Sequence, residues 1–381
     1  MSPRKVDFFR HSLGAEELSS IEETLHSLFL TLGPRVGAFE KRFAELLGVP
    51  HVIGTSSCST GLLVALAAMD VGPGDEIITT PMTFCSTSNA VLHLGATPVF
   101  ADIDPRTGML DPAEVKRKLT DKTKGIIVVH LYGQLADMPA LRAIADDAGV
   151  FLMEDAAHAI DAARDGVRTA HLGDATAFSF YATKEITSGD GGAIAVHDDA
   201  LAQRLRRVRN HGVSKDAAAR HGGLYQHWDM VDLGFKAAMT DVEAALLLPQ
   251  LDRIEDQRRH RQALTERYEA ALAAHSDVQL VERSGQSGHH LMVALVPRGL
   301  RDRVLTQLGT RGVGCAVNYR SVHTLKYYRD RFGYEGDAFP ISHDWGDRCV
   351  SLPLWHQMPL EDVDYVVSAL DDAIGQAKRE A

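Results

Sequence analysis

The sequence predicts an α/β fold, with a large domain built on a mostly parallel sheet and a smaller α+β domain after it. Three observations carry this. Short apolar runs alternate with helix-spaced segments over the first two thirds of the chain. Several of those runs are apolar on both faces, as strands covered by helices on each side are. The pattern then changes near residue 241, where a long Ala-, Leu-, Arg- and Glu-rich stretch begins. The predicted division is residues 1–245 and 246–381. A chain of 381 residues is long enough to give both parts a core.

Taken in order, Leu18, Ile21, Leu25 and Leu28 recur at helical spacing behind acidic Glu16 and Glu17. His51-Val-Ile-Gly-Thr reads as a strand, and Leu62–Ala68 as a helix after it. Strands follow at Asp75–Thr80, Thr97–Ala101, Gly125–His130, Val150–Asp155, Ala175–Phe180 and Gly192–Val196. Asp241 to His275 reads as one long helix. A strand at Leu291–Val296, a helix near Asp302–Thr310, a strand near Val313–Val317 and a helix from Leu360 to about Lys378 complete the chain. No repeat or low-complexity tract interrupts it.

Composition narrows the function. Hydrophobic residues make up 45% and charged residues 24%, ordinary values for a globular protein. The net charge of -11 opposes binding to nucleic acid or an anionic membrane. The basic clusters Arg204–Arg209 and Arg258–Arg261 fall on helices and read as solvated faces. The N-terminus has no long apolar segment, and no run is apolar enough to span a bilayer. Cys58, Cys85, Cys315 and Cys349 are scattered without a CxxC pair, so no disulfide framework or zinc site is expected. The expectation is a cytoplasmic protein with reduced thiols.

The chemistry gathers around Lys184, in Phe178-Ser-Phe-Tyr-Ala-Thr-Lys184-Glu-Ile-Thr-Ser-Gly-Asp-Gly-Gly-Ala-Ile194. It sits in a short turn between two strands. A desolvated lysine amine loses its proton and can form a Schiff base with a carbonyl. Read alone, Lys184 is equally a solvated loop lysine. Ser56-Ser-Cys-Ser-Thr-Gly61 joins a strand to a helix, where free backbone N–H groups suit a phosphate. Serine and threonine are also ordinary helix caps. Asp155 ends an apolar strand, where ligand groups collect in open α/β sheets, and a carboxylate there can pair with a protonated pyridine nitrogen. A helix cap is its alternative. His158 follows within one turn and can reach a ring hydroxyl; a structural histidine is the alternative. Phe84 can stack on a ring or fill a core. Ser179 offers a further phosphate donor.

With these pieces the chain resembles the DegT/StrS family of sugar-nucleotide aminotransferases, pyridoxal-phosphate enzymes of fold type I. The matching motifs run nearly end to end: Thr31-Leu-Gly-Pro, Ser56-Ser-Cys-Ser-Thr-Gly, Pro81-Met-Thr-Phe, His130-Leu-Tyr-Gly-Gln, Glu154-Asp-Ala-Ala-His, Phe178 to Lys184, Gly189-Asp-Gly-Gly, Asn210-His-Gly, Gly234 to Asp241 and Asn318-Tyr-Arg-Ser-Val-His. The resemblance implies pyridoxal 5'-phosphate held by Lys184, Asp155, His158, Phe84, Cys58, Ser59 and Ser179. Catalysis falls to Lys184 and Asp155. It implies Thr31, Arg10, Tyr319, Arg320 and His323 as substrate-binding candidates.

Some relatives carry histidine at the lysine position and dehydrate; Lys184 points to amino transfer. Glutamate is the implied donor, giving 2-oxoglutarate, and a nucleotide-linked keto sugar the acceptor. The stretch from Arg320 to Phe332 is most similar to enzymes making UDP-4-amino-4-deoxy-L-arabinose for lipid A. A 4-keto-6-deoxy hexose on UDP, GDP or TDP is the alternative acceptor, and a non-catalytic cofactor-binding regulator the remote one. A homodimer with shared active sites is also implied. Two departures stand out. Cys58-Ser59 replaces the family's Gly or Ala followed by Thr. Ala237 and Ala238 stand where the segment reaching the neighbouring subunit usually carries an aromatic and Asn or Arg, which leaves Lys236 as the cross-subunit phosphate candidate.

Overall fold

In the computed structural model, residues 4–214 and 227–380 are described. The main sheet has seven strands: β1 (His51–Thr55), β2 (Glu76–Thr79), β3 (Thr97–Phe100), β4 (Thr123–Val129), β5 (Phe151–Asp155), β8 (Ala175–Ser179) and β9 (Gly192–Val196). A two-residue pair, β6 (Ala163–Arg164) and β7 (Val167–Arg168), forms a separate hairpin. The sheet order is β1-β9-β8-β5-β4-β2-β3, with β9 antiparallel to both neighbours and the other pairings parallel. Apolar residues pack on both faces, as the two-sided runs predict.

A second sheet, β10 (Gln279–Leu280), β11 (Met292–Leu295) and β12 (Cys349–Leu352), is antiparallel. Helices Ile254–Leu272, Arg301–Thr310 and Leu360–Arg379 supply its core, which Val6 from the N-terminal segment joins. No helix among the described residues is long and apolar enough to cross a membrane.

Four expectations are corrected. The stretch 241–275 is two helices, Asp241–Leu251 and Ile254–Leu272. Pro249 lies in the last turn of the first; it lacks an amide hydrogen and crowds the preceding turn, and the chain redirects at Asp252 and Arg253. The strand near Val313–Val317 is reduced to isolated bridges from Val313 to Val6 and from Ala316 to Ser351. Arg209, Arg258 and Arg261 are not solvated; they are 6%, 9% and 3% exposed and point inward.

The fourth concerns the first helix, Ala15–Leu25, which buries the opposite face from the one its leucines suggest. Glu17, Ser20 and Thr24 are buried, while Leu18 and Leu25, with Leu28 just beyond, are 70%, 61% and 79% exposed. Its polar face is anchored instead. Glu17 takes a hydrogen bond from the Gly14 amide at 2.7 Å and pairs with Arg253 at 2.6 Å.

Adjacent strand residues face opposite sides, and the end of β5 uses both. Glu154 turns into the structure behind the sheet, fully buried. It accepts hydrogen bonds from the Gly173 amide (2.8 Å), the Ala170 amide (3.1 Å) and His130 Nε2 (2.7 Å). His130 Nδ1 accepts from the Ala136 amide, so Nε2 carries the proton. Burial alone would raise the Glu154 carboxyl, but these donors hold it below the usual range.

Glu154→Ala leaves three buried donors without an acceptor. Urea denaturation should show a loss of about 3 kcal/mol or more near neutral pH. Because the folded carboxyl titrates below the unfolded one, its contribution is present above the unfolded value and fades as pH falls through the folded value. The gap between wild type and variant should therefore narrow below about pH 4. A gap that is absent, or that widens in acid, contradicts this role.

Candidate active site

The parallel strands all end on one edge of the sheet, and the site is assembled from the segments that leave it. A cavity of about 520 Å³ opens there. Ser57, Cys58 and Ser59 reach it after β1, Thr83 and Phe84 after β2, Asp155 and His158 from β5, and Ser179, Tyr181 and Lys184 from β8. Asn318 and Tyr319 close it from the C-terminal part of the chain.

Lys184 lies on a loop held at both ends. The amides of Phe180 and Ser188 bond to Gly191 O (2.9 Å) and Phe180 O (3.1 Å), and the Lys184 amide to Tyr181 O (2.9 Å). Gln250 grips the far side through both Thr187 backbone groups, at 3.0 and 2.7 Å. The side chain is half-buried. Burial draws its amine below the ordinary lysine value, with the charges of Glu185, Cys58 and Asp155 pulling the other way. More of it is therefore neutral, and nucleophilic, than in a solvated lysine.

Asp155 is 4% exposed. Thr87 donates its hydroxyl to Oδ2 at 2.8 Å, and the Ala157 amide reaches Oδ1 at 3.2 Å. Burial pushes the carboxyl up; Thr87, Ala157 and Lys184 oppose the rise. A buried carboxylate with so few donors favours a cationic partner in the cavity.

His158 has a defined tautomer. Its Nδ1 accepts from the Tyr132 amide at 3.3 Å, so Nε2 carries the hydrogen, directed at Tyr319 Oη 3.0 Å away. Burial, and then the Lys184 charge, keep the imidazole neutral far below its ordinary value.

Ser57 caps the helix Cys58–Ala68, accepting from the Thr60 amide at 3.1 Å. The helix thus points its N-terminus at the cavity. Gly192, at the start of β9, lets that loop lie close: a side chain there would collide with the backbone of Ser57 and Cys58.

Of the sequence-derived candidates, the structure brings Lys184, Asp155, His158, Cys58, Ser59, Ser179, Phe84 and Tyr319 to one cavity. Phe84 stands at its mouth, 56% exposed, with its ring 5.8 Å from that of Tyr319. Five others are elsewhere. Arg10 is exposed and pairs with Asp7 at 2.7 Å, and Thr31 is exposed beside its bridge partner Thr240. Arg320 and Lys236 are also exposed. His323 is fully buried, bonded to Ser321 Oγ at 2.7 Å and packed on Phe339, so its ring is taken up by the core rather than by a ligand. Ala237 and Ala238 are buried against the end of β1. Sequence reasoning passed over Thr87, which looks like any helix-face threonine, and His290, which also lines the cavity.

The cavity residues fit pyridoxal phosphate: a half-buried amine, a buried carboxylate short of donors, and a helix N-terminus with hydroxyls. Comparisons with known proteins agree. The model of the DegT/DnrJ/EryC1/StrS aminotransferase family matches residues 11–371. The chain is 39% identical over 387 residues to the spore coat polysaccharide biosynthesis protein SpsC of Bacillus subtilis (strain 168), across 98% of this chain and 99% of that protein. It is similar to the crystal structure of DesV from S. venezuelae, at 31% identity and a TM-score of 0.89, covering 97% and 98% of the two chains. The PLP form of Spr1654 from Streptococcus pneumoniae, assigned provisionally as a sugar aminotransferase, matches at 25% identity and a TM-score of 0.91, covering 98% and 100%.

Thr87→Val keeps the shape of this side chain and removes its hydrogen bond to Asp155. Fluorescence titration should show pyridoxal phosphate bound about tenfold more weakly, the scale of one bond to a charged group. Unchanged affinity would show that Thr87 does not hold Asp155 for the cofactor.

Proposed function

The chain belongs to the DegT/DnrJ/EryC1/StrS aminotransferase family, and we propose that it moves the amino group of glutamate to the keto carbon of a 4-keto sugar nucleotide. As a member it is a pyridoxal-phosphate-dependent sugar aminotransferase. The observation that carries the residue assignment is the Lys184 amine in one cavity with the buried Asp155 carboxylate.

Bound pyridoxal phosphate supplies an aldehyde to carry the amino group and a ring that draws electrons from the carbon losing its proton. The rest falls to the chain. Lys184 holds the cofactor and, once displaced, its Nζ takes the proton from Cα of glutamate. In the second half-reaction it returns a proton to the former keto carbon of the sugar. Asp155, fixed by Thr87, pairs with the ring nitrogen. The Nε2–H of His158 would turn from Tyr319 Oη to the ring oxygen. Ser59, Ser179 and the first amides of the helix Cys58–Ala68 take the phosphate. Phe84, Leu291 and Tyr319 line the cavity with apolar surface, which limits water at the reacting carbon.

The acceptor we favour is a UDP-4-keto-pentose, giving UDP-4-amino-4-deoxy-L-arabinose. A 4-keto-6-deoxy hexose nucleotide is the second reading, and the likeness to a spore coat polysaccharide biosynthesis protein is the observation in its favour. No arginine lines the cavity among the described residues. Carboxylate and diphosphate groups therefore need cations from outside it. We assign these to a second copy of the chain, whose exposed Arg10, Arg320 or Lys236 can serve. The exposed leucines Leu18, Leu25 and, just past the helix, Leu28 support a homodimer, since exposed apolar residues grouped together mark contact surfaces. The large and small parts divide near residue 245.

Borohydride reduction should fix a pyridoxyl group on Lys184, and Lys184→Ala should lose activity by at least about 10²–10⁴-fold. A label elsewhere, or an active variant, overturns the assignment. Amination of a UDP-4-keto-pentose but not of 4-keto-6-deoxy hexoses selects the first reading, and the opposite pattern selects the second. Sedimentation should give a dimer that Leu25→Asp with Leu28→Asp dissociates; a monomeric wild type, or an intact variant dimer, contradicts the interface.

A further inference from the structure

The turn Leu131–Gly133 braces two histidines at once. Its Tyr132 amide bonds to His158 Nδ1 at 3.3 Å. Its Gly133 carbonyl accepts from the Gly288 amide at 2.8 Å and from Ser287 Oγ at 3.0 Å, and Ser287 Oγ takes the His289 amide at 3.0 Å. Gly133 has a φ of +91° and no room for a side chain: a Cβ there would meet the His289 and His290 amide nitrogens at 2.8 Å. The other side of the segment is closed as well. Arg261 gives its Nε–H to Gly288 O at 3.1 Å, and a Cβ on Gly288 would meet Asp161 Oδ1 at 2.6 Å and Glu185 Oε1 at 3.5 Å. The segment leads into β11 and so carries His290 from the second sheet into the cavity of the first. There its ring lies 4.3 Å from that of His158, tilted by 36°.

We propose that His290 is a positioning residue for the cofactor: its ring, packed on that of His158, keeps the His158 Nε2–H aimed into the cavity once that hydrogen is given to the cofactor's ring oxygen. The proposal rests on the pyridoxal-phosphate site assigned above.

The bonds that His158 keeps make this packing matter. Its ring is held at both edges, by the Tyr132 amide at 3.3 Å and by Tyr319 Oη at 3.0 Å. Turning Nε2–H to the ring oxygen releases Tyr319. The Tyr132 bond that remains is longer than the usual N–H hydrogen bond, and one such bond leaves a ring free to pivot about it. Contact on the ring restrains that pivot, because a ring that swings must push its neighbour aside in a close-packed interior. His290 is suited to this. It is 6% exposed, with Nδ1 3.6 Å from Glu185 Oε1. Burial, then the charges of His158, Lys184 and Arg261, keep its imidazole neutral well below the ordinary value. It therefore acts through its flat shape and adds no charge beside Lys184, which lines the same cavity.

The test compares His290→Ala, which uncovers the His158 ring, with His290→Phe, which keeps a flat ring against it. Pyridoxal phosphate joined to Lys184 changes its absorbance as the linking nitrogen loses its proton. A hydrogen bond given to the ring oxygen draws that oxygen away from this proton and lowers the pH of the change. His290→Ala should raise the midpoint by about one pH unit, the scale of one hydrogen bond to a charged group. His290→Phe should restore the wild-type midpoint. An unmoved midpoint in His290→Ala, or the same shift in both variants, overturns the proposal. A second measurement depends on no variant folding. In wild-type protein with labelled histidine, proton NMR should show cross-relaxation between the His158 and His290 rings that persists when pyridoxal phosphate is added. Its loss on loading also overturns the proposal. A wild type with no lysine-linked absorbance sinks the Lys184 assignment and this proposal with it, whereas an unmoved midpoint beside a normal wild-type transition sinks the His290 role alone.

Discussion

Burial of opposite charges in one cavity is the constraint on which the site depends. Asp155 and Lys184 both leave bulk water, and each is shifted toward its neutral form by that loss. Each shift is opposed: at the lysine by Glu185, Cys58 and Asp155, and at the aspartate by the Thr87 hydroxyl, the Ala157 amide and Lys184. The result is a site prepared for a cationic ring: the carboxylate has room for one partner, and the amine is free enough to attack a carbonyl.

The fold serves this by separating two jobs on neighbouring residues of β5. Glu154 turns to one face, collects three donors and ties together the segments behind the sheet. Asp155 turns to the other face and is left with a hydroxyl, one amide, the Cys58 thiol at 4.0 Å and the cavity. A strand end is rigid because its backbone is paired; here the His130 and Ala156 amides bond to Asp155 O and Ala177 O at 3.0 and 2.8 Å. The carboxylate is thus placed by the sheet, while the lysine is placed by a loop that Gln250 clamps from a helix far along the sequence. Loops carry chemistry best when a scaffold fixes their ends.

Much of this was legible in the sequence. The strand runs were two-sidedly apolar and their ends carried the polar residues, so the sheet could be read directly, whereas Lys184, Asp155, His158 and Phe84 each kept a structural alternative until the family resemblance singled them out. What escaped has physical causes. The leucines of the first helix have the right period for a core face, yet period says nothing about whether the partner is this chain or another. Arg258 and Arg261 looked solvated, since sequence does not show that Asp161 and Glu185 approach their helix. His323 lies within a matching motif, but Phe339 and Ser321 take its ring. Thr87 and His290 act through residues distant in sequence, and no local pattern announces such a partner.

The pairing of Asp155 with the cofactor ring can be read directly from the nitrogen-15 shift of labelled pyridoxal phosphate bound to the protein. The account predicts a protonated ring nitrogen in the wild type near neutral pH, and an unprotonated one in Asp155→Ala that still binds the cofactor. An unprotonated nitrogen in the wild type, or the same shift in both proteins, would contradict it.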